Sequence, residues 1–185
     1  VMQLEAAGIV TRKQGRGTFV TIRRPEDSLF HFFRLRDAEE KQVYPTLEEE
    51  KITRRVSTHY ERSELFDQPA EIYEVTRVRG YNEQPVTFET SVLPASLFPG
   101  LNERGPLPNT MYVLFQNAYS CLVIEAKESL KAEILDPILA QKFNCKTPIP
   151  VIVGHRKTRD ILGRTIELRK TIYITQDTTY AVDMR

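Results

Sequence analysis

Cysteine is scarce in this chain: Cys121 and Cys145 are the only two in 185 residues, with no Cys-x-x-Cys spacing. That excludes a disulfide framework and fits a reduced, cytoplasmic protein, with one disulfide between the pair left open. Histidine is equally sparse. His31, His59 and His155 are scattered without ligand spacing, so they read as ordinary histidines, and neither metal nor cofactor is expected. No apolar run approaches the ~18 residues of a membrane span, and no signal-peptide pattern opens the chain. Gly-x-Ser-x-Gly, P-loop and dinucleotide fingerprints are all missing, and there is no internal repeat or low-complexity tract.

What is present is ordinary globular material. Hydrophobic residues make up 41% and charged residues 28%, enough for a core without metal or disulfide staples. The length suits one domain plus an appendage, or one large domain. The net charge of +1 conceals a split. Residues 1–24 set Arg12, Lys13, Arg16, Arg23 and Arg24 against Glu5 alone, leaving the remainder mildly acidic. A basic head either meets a polyanion or is simply solvated, and charge does not choose between these.

The head has a pattern as well as a charge. Val1, Leu4 and Ile9 fit the end of an amphipathic helix closed by Gly8. Two β-prone runs, 9–13 and 18–22, then flank Gln14-Gly15-Arg16-Gly17 and predict a hairpin with a basic tip. Residues 25–50 mix charge, aromatics and Pro25 and Pro45, and read as a linker with a first strand near Phe30–Leu35.

Beyond it strands dominate. Residues 71–79 and 86–93 predict a hairpin, 149–158 and 164–174 another pair, and 178–184 a last strand. Residues 121–133 alternate, with Leu122, Ile124, Ala126, Leu130 and Ala132 on one face. Helices are expected where Met111, Leu114, Phe115 and Ala118, and then Leu135, Ile138, Leu139 and Phe143, recur at helical spacing. Asn109 or Thr110 would cap the first, and Asp136-Pro137 opens the second. The fold class is therefore α+β, with a largely antiparallel sheet and packed helices.

Two stretches resemble a known family. The run "LEAAGIVTRKQGRGTFV" is similar to the end of the winged helix-turn-helix of GntR-superfamily regulators. From about Leu65 onward, "VTRVRGYNEQPVTFETSVLPASLFPGL", "MYVLFQNAY", "EAKESLKAEILDPILAQKF" and "GRTIELRKTIYITQD" resemble the UTRA domain of the HutC subfamily. The resemblance implies a chorismate lyase-like fold and three parts: a wing remnant at 1–24, a linker at 25–50 and a UTRA effector domain at 51–185. It implies wing contacts to DNA from Arg12, Lys13, Gly15, Arg16 and Gly17. The chain would begin in mid-motif and would not bind an operator competently alone. It further implies a homodimeric regulator, most simply a repressor, with operator DNA and a small anionic effector as partners.

Strand alternation says which polar groups could hold that effector. Arg77 and Arg79 share a face, ~6 to 7 Å apart at Cα. Thr87, Glu89 and Ser91 share another, as do Thr165, Glu167, Arg169, Thr171 and Tyr173. Arginine forks suit phosphate or carboxylate, and glutamates accept from sugar hydroxyls. Cross-strand salt bridging on a solvated face would produce the same pattern. The family resemblance implies an effector pocket of Arg77, Arg79, Glu89, Ser91, Tyr112, Glu167 and Arg169, with a sugar phosphate or a small organic acid as occupant. Tyr180 is displaced by one residue from the family's Asp-Arg-Tyr pattern, which leaves its place open. A chorismate lyase-like enzyme acting on a small carboxylate is the competing reading.

Overall fold

The computed structural model describes residues 10–13, 17–20, 34–143, 145 and 148–182. The expected hairpin is present: β1 (Val10–Lys13) and β2 (Gly17–Val20) pair antiparallel, with Val10 opposite Val20 and Lys13 opposite Gly17. Gly15 and Arg16 at its tip lie outside the described residues, as do the helix end expected at residues 1–8 and most of the strand expected near Phe30–Leu35. The chain re-enters at β3 (Leu35–Arg36).

The body is a six-stranded, wholly antiparallel sheet. Its strands are β4 (Thr46–Val56), β5 (Glu71–Tyr81), β6 (Gln84–Pro94), β7 (Val123–Ile134), β8 (Pro150–Asp160) and β9 (Thr165–Tyr173), in the order β4-β5-β6-β9-β8-β7. The β5–β6 hairpin closes on Asn82 and Glu83, both at positive φ (51° and 61°), the twist that a two-residue hairpin turn needs. A separate ladder joins β10 (Thr179–Tyr180) to β3; of the strand expected at 178–184, residues 181–182 are not in it and 183–184 lie outside the described residues.

β4 crosses the boundary expected at residue 50. Its run Glu48-Glu49-Glu50-Lys51 carries no alternation, because an edge strand needs no apolar face on most of its length and charge there discourages further pairing. The helices also correct details. α1 (His59–Glu64) was not anticipated, although Thr58 and Glu61 form a capping box. α2 (Met111–Tyr119) buries Met111, Tyr112 and Phe115, while Ala118 faces out. α3 (Pro137–Lys142) is capped by Asp136 as expected, yet Ile138 is 78% exposed; Leu135, Ala140 and Phe143 make the contact instead.

Each sheet face has its own cover. On one, Tyr73, Val75 and Leu93 pack against Phe98, Leu101, Met111 and Phe115. On the other, Val78, Val151, Val153 and Ile172 pack against Leu135, Ala140 and Phe143, and Leu65 after α1 covers Ile72 and Val92. The first face continues past its apolar part into a buried polar region, where all seven expected pocket residues meet.

Candidate functional site

Antiparallel register places directly opposed residues on the same face. Arg77 of β5 is opposite Glu50 of β4 and Glu89 of β6. Ser91 is opposite Arg169 of β9, which is opposite Arg156 of β8, which is opposite Glu128 of β7. Glu50-Arg77-Glu89 and Ser91-Arg169-Arg156-Glu128 are therefore two adjacent rows on one face of the sheet. α2 brings Tyr112 onto this face, beside Thr158 and Glu167.

The polar groups are buried and mutually engaged. Arg169 donates to Glu167 Oε1 at 2.8 Å and to Ser91 at 3.1 Å, with its guanidinium 5.3 Å from the Tyr112 ring. The other oxygen of Glu167 accepts from Tyr112 (2.8 Å) and Thr158 (2.9 Å). Arg79 Nε lies 3.1 Å from Glu89, and its other end reaches the Asn109 side chain and carbonyl. Asn109 thus anchors the start of α2 to the site rather than capping it. At the far end Arg156 meets Glu128 at 3.1 Å.

Arg77 is the exception in this network. Its guanidinium is 1% exposed and faces Glu50 at 2.5 Å through Nη2, while Nε and Nη1 have no hydrogen-bond partner among the described residues. Thr87 Oγ1, also on this face, has none either. Burial, then repulsion from Arg79, pushes the Arg77 pKa down. Arg169 and Arg156 are pushed up, because their nearby anionic partners outweigh burial. Four arginines and four glutamates balance in charge, so hydrogen-bonding capacity, not net charge, distinguishes Arg77.

The carboxylates are poor candidates for acid chemistry. Burial opposes ionisation of Glu89 and Glu167, but Arg79 and Arg169 outweigh it for the first and Arg169 for the second. Both are held below the usual carboxylate range, so neither is kept protonated as a proton donor. Among the described residues, no group of three or more His, Cys, Asp or Glu side chains could hold a metal ion.

Several site residues escaped the sequence reading: Glu50, Glu128, Arg156 and Thr158. Glu128 had a usable signal, as it is the one charged residue in the row Leu122, Ile124, Ala126, Leu130. Tyr180 does join the site's edge: its hydroxyl donates to Glu128 at 2.7 Å, and its ring meets Tyr173 at 5.1 Å. A cavity of about 380 Å³ opens here, bordered by Arg34, Ala126, Glu128, Arg156 and Tyr180. Of the residues expected to contact DNA, Arg12 and Lys13 lie on β1 and Gly17 on β2.

Comparison with known proteins gives a consistent picture. The family model described as "UTRA domain" matches residues 64–178. The HTH-type transcriptional regulator GmuR of Bacillus subtilis is 26% identical over 158 residues, 80% of this chain and 65% of that protein. A probable fructoselysine utilization operon transcriptional repressor of Escherichia coli is 27% identical over 131 residues, 70% of this chain and 54% of that protein. The chain thus spans between half and two thirds of these curated relatives. PhnF from Mycobacterium smegmatis superposes with a TM-score of 0.69 at 19% identity, covering 100% of this chain and 81% of that one. The C-terminal domain of Yurk from Bacillus subtilis gives 0.64 at 16% identity, covering 75% and 94%. These two share the fold. No helix among the described residues is long and apolar enough to cross a membrane.

Proposed function

This chain belongs to the UTRA domain family, and from that premise we propose that it is the effector-sensing part of a dimeric, DNA-binding transcription repressor. The curated relatives are a transcriptional regulator and a probable repressor, which supports the regulatory reading. The effector is a small anion, a sugar phosphate in first place. One observation carries this: the buried Arg77 guanidinium keeps Nε and Nη1 without hydrogen-bond partners among the described residues, and so does the hydroxyl of Thr87, opposite Arg79 on the same face. Unfilled donors at a buried cation are costly, and a phosphate's oxygens would fill them. Glu89, held ionised, accepts from a sugar hydroxyl, while Glu167, whose oxygens already accept from Arg169, Tyr112 and Thr158, holds Arg169 in place.

The signal is the effector's preference for the arrangement that binds DNA poorly. A coupling of about 1 to 3 kcal/mol changes operator affinity by about 5- to 150-fold. The route out of the site runs through Arg156, Glu128 and Tyr180 to the β10–β3 ladder. Linkage supplies the test. In the full-length regulator, a sugar phosphate that weakens operator binding must itself be bound more weakly, by the same factor, once operator is present. Unequal factors at equilibrium, or no effect on operator affinity, would defeat the proposal.

A further inference from the structure

The opposite face of the sheet carries a second set of charges that the arginine cluster does not use. Lys127 stands directly opposite Lys157, and His155 directly opposite Lys170. Cationic groups set across an antiparallel pair repel when charged. Glu64 relieves Lys157 at 2.5 Å. No described carboxylate forms an ion pair with Lys127 or Lys170, and the neighbouring Glu61 is committed to Arg55 and to the cap of α1.

These groups surround a concavity. They line a cleft of about 500 Å³ together with Thr90, Ser129 and the first residues of α1. Val92 and Leu168 give it an apolar base, and Tyr60, 58% exposed, stands at its side. Lys127 and Lys170 lie on strands either side of β8 and two residues out of register, about 12 Å apart at the backbone, so their long side chains can converge on one group beside His155. Apolar walls with a few convergent charges are the usual make-up of a small-molecule site.

We propose that this cleft is a second binding site, for a small organic anion bearing at least two negative charges. Lys127, Lys170 and His155 hold the charged group, and Tyr60, Val92 and Leu168 take its apolar body. The site is independent of the function proposed for the arginine cluster, and the two can fail separately.

Inorganic pyrophosphate is the probe for the charged half. Titrated into isotope-labelled protein at low ionic strength, it should saturably shift the backbone amides of Lys127, His155 and Lys170, and the affinity should fall as salt is added. The double variant K127Q/K170Q changes two exposed side chains, keeps the wild-type thermal transition, and should bind at least tenfold more weakly. Shifts confined to Arg77, Arg79 and Arg169 would overturn the proposal, as would undiminished binding by the double variant or the lack of any saturable shift.

Discussion

The Tyr180 hydroxyl donates to Glu128 at 2.7 Å, joining a two-residue strand near the end of the chain to the far edge of the six-stranded sheet. Glu128 also takes Arg156 at 3.1 Å and Tyr173 at 3.3 Å, so one carboxylate ties together β7, β8, β9 and β10. Among the described residues β10 pairs with β3 alone, so this bond fastens that short ladder to the polar site.

Tyr180→Phe removes that donor and leaves the ring contact with Tyr173 in place. A hydrogen bond to a charged group contributes about 1.5–3 kcal/mol. Urea denaturation should show a loss of about 1–2 kcal/mol, reduced because the site is partly open to water. Hydrogen exchange of residues 35–36 and 179–180 should speed up while the main sheet stays protected. Unchanged exchange there would mean that the bond does not hold the ladder.

Glu167→Ala should be far more damaging. It leaves Arg169 and Tyr112 without their shared acceptor in a fully buried position. Removing one partner of a buried pair costs about 3–5 kcal/mol, and chemical denaturation measures it. A loss under 1 kcal/mol would show that water replaces the carboxylate easily.

A pH signature should come from α1. Hydrogen bonds from Arg55 outweigh burial and, with those from Thr58, hold the Glu61 carboxyl down at about 2. A depressed carboxyl stabilises the fold above its ordinary value, near 4.5, and that contribution is lost as pH falls toward 2. Wild type should therefore lose stability across this window more steeply than Glu61→Gln. Parallel stability curves for the two proteins would contradict the assignment.

The sequence made the inner strands legible because their side chains alternate whatever they pair with. Arg77 and Arg79 share a face by period alone, as do Glu89 and Ser91, and Glu167 and Arg169. That the three faces are one face depends on the order β5-β6-β9, which long-range pairing decides and which the family resemblance, not periodicity, implied. β4 was hidden because charge covers both its faces, and with it Glu50. Glu128 was legible as the one charge in an apolar row, but its partners on β8 and β10 were not, because they depend on long-range pairing. Tyr180 could not be placed by counting along a strand, since β10 belongs to a different ladder from the main sheet. The helical stripe at 135–143 was read one residue too generously, and Ile138 points to solvent.

Arg77 as an anion-binding group is tested most directly by a thermal-shift panel with glucose 6-phosphate, fructose 6-phosphate and citrate. At least one sugar phosphate should raise the melting temperature of wild type, with calorimetry giving its affinity. Arg77→Ala, provided it retains a cooperative transition, should bind that compound about 10- to 150-fold more weakly, the loss of one to two charge-assisted hydrogen bonds. An undiminished affinity in a folded Arg77→Ala protein, or no response of wild type to either sugar phosphate, would contradict it.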